Sequence, residues 1–116
     1  MIRKAQDTKV NYREHMKGGE GTVKVTDFIL SPDELCGKGR LFGRITLDPG
    51  CTIGFHVHEG ESELFYVING PLDYNDNGEI TRVEEGDVMI CPPGSGHGLI
   101  NNTDKTAEVI AVIVYE

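Results

Sequence analysis

The stretch 50–70 reads GCTIGFHVHEGESELFYVING, and its interpretation decides how the chain folds. Apolar and β-branched residues flank a short polar EGES connection, so 53–58 and 63–69 read as two short strands. His56 and His58 lie two residues apart, and on a strand both rings project from one face. Glu63 opens the next strand. Downstream, PPGSGHGLIN at 92–101 sets His97 just after a Pro/Gly turn. Three imidazoles and one carboxylate are the donors of a divalent-metal site.

The flanking segments have the same texture. TVKVTDFIL at 22–30 and RLFGRITL at 40–47 read as strands, the latter closed by Asp48-Pro49-Gly50. Further strands are expected near 72–75, 79–84, 87–91, 97–101 and 107–115. Ser31-Pro32-Asp33-Glu34 is a helix-start signature: Ser as cap, Pro at the first helical position, Glu three after the cap. Gly37 and Gly39 limit that helix to one turn. Residues 1–21 are polar and are read as an arm. Short strands broken by Gly, Pro and Asn turns, with no long helix, define an all-β sandwich or barrel. DYNDNGEITRVE at 73–84 matches a calcium-loop pattern through Asp73, Asn75, Asn77, Gly78 and Glu84. That loop needs a helix on each side, whereas both flanks here are strand-like, and Asn77-Gly78 is a hairpin turn signal.

With 116 residues, the chain is read as one domain, 1–116. A net charge of −8 argues against nucleic acid or an anionic membrane surface as a partner. The longest apolar run, VIAVIVY at 109–115, is a strand's length and too short to span a bilayer. The opening MIRKAQDTKV has no apolar core of a signal peptide, so the expected compartment is the cytoplasm. Cys36, Cys51 and Cys91 are odd in number and form no CxxC pair, which reads as free thiols. Cys51 and Cys91 are candidates to face the metal cavity, against the alternative of small packing residues. His15, in a polar stretch, is read as solvated.

Gly50, His56, His58, Glu63 and Gly70 fit G-(x)5-H-x-H-(x)4-E-(x)6-G. Gly86, Pro92, Gly94, His97 and Asn101 fit G-(x)5-P-x-G-(x)2-H-(x)3-N. These resemble the two motifs of the cupin superfamily, spanning 50–70 and 86–101, with 1–30 as an N-terminal arm and strand. The resemblance implies a double-stranded β-helix, a jelly-roll barrel, with His56, His58, Glu63 and His97 as metal ligands. GKGRLFGRITLDPG at 37–50 further resembles small single-domain cupins known as oxalate-binding or oxalate-decarboxylase-like. Oxalate decarboxylases have two cupin domains and an Arg three residues before the first motif histidine, where this chain has Ile53. The resemblance therefore implies carboxylate binding and stops short of decarboxylation.

Three nitrogens and one hard oxygen suit one divalent transition metal, with manganese, iron, nickel and zinc as expected candidates. Four protein ligands leave two positions of an octahedron for a chelating substrate. If Glu63 points inward, Phe65 and Val67 do too, and Leu99 follows His97, giving an apolar pocket wall. Arg44 is a candidate partner for an anionic group, although it alternates with Arg40 and Thr46 on one face. The expected function is a metal-dependent lyase, isomerase or dioxygenase acting on a small oxygen-rich or carboxylate molecule. The alternative is a non-catalytic metal-dependent binding or sensing module. Leu64, Tyr66 and Ile68 point away from the metal, and VIAVIVY is apolar on both faces, so a covering partner is expected. The resemblance implies a homodimer, with the N-terminal strand swapped across as one arrangement.

Overall fold

Ten strands alternate with tight turns and three single-turn 3-10 segments, as the computed structural model of residues 1–116 shows. The strands are β1 (Lys9–Glu14), β2 (Thr22–Asp27), β3 (Gly39–Leu47), β4 (Thr52–Val57), β5 (Glu61–Asn69), β6 (Leu72–Asp76), β7 (Glu79–Val83), β8 (Val88–Cys91), β9 (Gly96–Ile100) and β10 (Ala107–Tyr115). One sheet has the order β1-β2-β3-β10-β5-β8 and the other β4-β9-β6-β7. Every pairing is antiparallel. Neighbours in sequence are often in opposite sheets, and β10 lies between β3 and β5. This is the double-stranded β-helix, in which two sheets face each other across one core.

Alternation builds that core. Phe65 and Val67 on β5, and Val109 and Ala111 on β10, are buried from the six-stranded sheet. Ile53, Leu72, Tyr74 and Leu99 meet them from the four-stranded sheet. Each loses its apolar surface to water-free packing, about 25 cal/mol for every Å² removed. At 31–35 the expected single turn forms: the Ser31 hydroxyl accepts from the Asp33 amide, and Pro32 begins the turn. Glu34 does not close the capping box on Ser31; its carboxylate accepts from the Leu30 amide and pairs with Arg3.

Two local results depart from the expectations. Residues 9–14, expected only as a polar arm, form β1 along β2, with Lys9 opposite Asp27 and Glu14 opposite Thr22. That strand has exposed residues on both faces, so it lacks the hydrophobic alternation that marks a strand in sequence. β2 ends at Asp27 rather than 30, because the chain then turns into the Pro32 segment. β1 and β2 extend the six-stranded sheet beyond β3. Residues 73–84 form the β6–β7 hairpin: Asn77 and Gly78 both take positive φ, and the Asn75 side chain accepts from the Gly78 amide at 2.8 Å. Asp73 is held by Arg82 at 2.7 Å, so the would-be calcium ligands are spread along a ladder.

Candidate metal centre

Two sheets contribute the four ligand-type side chains. His56 lies on β4 and His58 just beyond its end, Glu63 lies on β5, and His97 lies on β9 directly across from His56. A β-bulge between Ile53 and His56 is what brings them together. Three residues apart on a regular strand, Ile53 and His56 would face opposite ways. One extra residue at Gly54–Phe55 turns both inward, so Ile53 packs in the core and His56 faces the site.

The three imidazole rings form a near-equilateral triangle, with centroids 4.9, 4.9 and 5.0 Å apart. Glu63 Oε1 lies 3.1 Å from His58 Nε2 and 2.9 Å from His97 Nε2, and the two Nε2 atoms are 3.1 Å apart. One ligand atom from each of the four residues falls within 4.8 Å of all the others. His58, Glu63 and His97 are buried and His56 is half-buried.

The surroundings fit a bound cation. His56 donates its Nδ1 proton to the Gly54 carbonyl at 2.8 Å, which leaves the Nε2 lone pair free. His97 Nδ1 faces Tyr74 Oη at 3.0 Å, so its Nε2 also points at the cluster. These outer contacts are the kind that orient metal-bound imidazoles. Phe65 stacks on the His97 ring, 4.9 Å between centroids and nearly parallel. Burial pushes the Glu63 carboxyl up, but the His58 and His97 hydrogen bonds outweigh it and hold the group at about 2. Burial lowers His56, only partly offset by its bond to Gly54, so that ring favours the neutral, ligating form. A carboxylate and three imidazoles packed this closely, with outer partners on His56 and His97, are consistent with a metal site.

A cavity of about 240 Å³ opens onto His56, His58 and Glu63. Its walls differ from the expected ones. Phe65, Val67 and Leu99 are buried behind the site in the core and do not line the cavity. Arg44 lies outside it too, 3.4 Å from Glu108 on the other side of the sheet. The walls instead come from β1, β2, β3 and the turn after β1, and include Lys9, Arg13, Lys17, Asp27, Arg40 and Leu41. The first three fall in the stretch read only as a polar arm, which carries no hydrophobic alternation to mark it. Cys91 is buried and donates to the Ser95 carbonyl, Cys51 packs beneath Gly21, and Cys36 is exposed; none lines the cavity, and all three are free. His15 is exposed and its ring contacts the Gly19 carbonyl.

An all-β double helix of strands with an inward His3Glu cluster defines a class, and the sequence agrees: residues 43–113 match the cupin domain family, and the chain belongs to it. An oxalate-binding protein of Thermotoga maritima is 37% identical over 100 residues, covering 86% of this chain and 82% of its own. The crystal structure of a predicted oxalate decarboxylase from Thermotoga maritima superposes with a TM-score of 0.93 at 33% identity, covering both chains fully. A tetracenomycin polyketide synthase protein of Streptomyces glaucescens is 28% identical over 96 residues, covering 83% of this chain and 61% of its own.

Proposed function

We propose that this cupin is a divalent-metal-dependent enzyme acting on a small carboxylate. The observation that carries the reading is the His56–His58–Glu63–His97 cluster at one end of a cavity large enough for a small molecule. The oxalate-binding relative supports a carboxylate as the ligand. A metal held there would supply a Lewis acid for carboxylate oxygens. The protein's part is to desolvate the ligand against Leu41 and Ile45 and to present charge from the opposite wall. Asp27 is the one carboxylate of the wall outside the cluster, and Asn11 donates to it at 2.8 Å. It is the residue placed to move a proton.

Metal content per chain, measured by plasma mass spectrometry on protein purified without a metal-affinity tag, tests the first half. Near-stoichiometric metal in the wild type and its loss in His58→Ala are expected; equal metal in both would overturn the assignment. Turnover in a screen of small organic acids, lost in Asp27→Asn while binding persists, tests the second half. A second reading, a non-catalytic binding module, is favoured by the Asn11 bond, which already occupies Asp27. Saturable binding with no product, and no effect of Asp27→Asn on it, would select that reading.

We also infer a homodimer. The outer face of the six-stranded sheet gathers Phe42, Leu64, Tyr66, Val88, Ile110 and Val112 into one apolar surface. Tyr66 and Val88 keep 46% and 59% of their area exposed, a patch that a second copy would cover.

A further inference from the structure

The inward face of β1 has the wrong chemistry for a core. Lys9, Asn11 and Arg13 stand opposite Asp27, Val25 and Val23 of β2, and the two valines are fully buried beneath the sheet. A strand at these positions normally supplies apolar residues to the interior. Here it supplies two cations and an amide, and both cations line the cavity above the ligand cluster.

The next turn adds a third cation. Residues 15–21 cross the start of β4 and are locked onto it. The Glu20 amide donates to Thr52 Oγ1 at 2.7 Å, and the Thr52 amide donates to the Glu20 carbonyl at 2.9 Å. Gly19 and Gly54 permit this approach: a Cβ on Gly19 would strike the Thr52 carbonyl, and one on Gly54 the Lys17 carbonyl. His15 and Lys17 hold left-handed φ of 49° and 55°, a conformation that costs free energy in residues with a side chain. The outcome is that Met16 and Lys17 line the cavity.

Charge singles out this wall. The chain carries eleven Lys and Arg against nineteen Asp and Glu. Around the cavity the balance reverses, with Lys9, Arg13, Lys17 and Arg40 against Asp27 and Glu63. Arg40 is paired with Glu61 at 2.8 Å. Lys9, Arg13 and Lys17 form no ion pair.

We propose that Lys9, Arg13 and Lys17 form an anion subsite across the cavity from the His3Glu cluster, and that the ligand is a small dianion held at both ends. One anionic group meets the cluster and the other meets the arm. This rests on the proposed carboxylate function and specifies its ligand class. Inward charges on an edge strand also guard against edge-to-edge association, and the test separates that role from recognition.

The experiment is calorimetric titration of the metal-loaded full chain with succinate and with butyrate, which have four carbons each and differ in one carboxylate. Succinate is expected to bind at least tenfold more tightly. In Arg13→Gln/Lys17→Gln that preference should vanish, with butyrate affinity, metal content and melting temperature unchanged. Equal binding of the two acids by the wild type, or a preference that survives in the variant, would overturn the subsite. So would a variant that self-associates but keeps the preference, which assigns the charges to edge protection. The same titrations on metal-free protein separate the two claims. A chain that takes up no metal loses the metal-dependent function, yet weaker succinate binding by the metal-free variant than by the metal-free wild type still supports the subsite.

Discussion

Tyr74 Oη lies 3.0 Å from His97 Nδ1, and both side chains are buried. When His97 turns its Nε2 to a cation, Nδ1 carries the proton and the phenol oxygen accepts it. Tyr74 thereby orients the ring of a ligand-type residue on a neighbouring strand, since Tyr74 on β6 pairs with Leu99 on β9.

Replacing Tyr74 by Phe removes that acceptor and keeps the ring. Metal affinity should fall by about 10- to 100-fold, the usual cost of losing an outer partner. A competition titration against a chelator measures it. Unchanged affinity with an unchanged fold would show that His97 needs no partner.

Glu63 links the cluster to acid stability in the metal-free protein. Its folded value of about 2 lies below the ordinary 4.5, so its contribution is fully present above 4.5 and is lost as pH falls toward 2. Between pH 4.5 and 3 the loss should be about 2 kcal/mol. Denaturant titrations across this range should show a steeper decline for the wild type than for Glu63→Gln. Parallel declines would remove Glu63 from the acid response.

Asn101 belongs to the second motif but works on the backbone. Its Nδ2 donates to the Leu47 and Lys105 carbonyls, each at 2.8 Å, and its Oδ1 accepts from the Thr103 amide and hydroxyl. It has no accessible surface. Asn101→Ala would strand buried partners and should cost about 3 kcal/mol. Urea unfolding checks this; a loss under 1 kcal/mol would mean that water replaces the amide.

The apolar outer face gives an assembly prediction. Tyr66→Glu combined with Val88→Glu places two carboxylates where a second copy would pack. Light scattering at micromolar concentration should report a dimer for the wild type and a monomer for the double variant. A wild-type monomer would remove the dimer reading.

Much of the site was legible because strands repeat every two residues. His56 and His58 on one face, Glu63 across a short turn and His97 after a Pro/Gly turn need only local geometry and motif spacing. The Asn77-Gly78 hairpin and the turn at Pro32 were legible for the same reason: their backbone chemistry lies within a few adjacent residues. The inward burial of Phe65, Val67 and Leu99 also follows from alternation, but their place behind the imidazoles rather than along the cavity does not.

The determinants written locally in the chain are thus the strand periods, the turns and the identities of the four ligand-type residues. The fold alone decides which surface faces them. Lys9, Arg13 and Lys17 reach the cavity because β1 pairs with β2 and because the 15–21 turn docks on Gly54 of β4, some 30 to 40 residues further along the chain. Such contacts leave no periodic trace in a polar stretch, because they depend on backbone pairing and on the absence of a side chain at Gly19 and Gly54. Arg44, chemically as suited to an anion as Arg13, is directed to Glu108 on the outer face by the same register that turns Ile45 into the core.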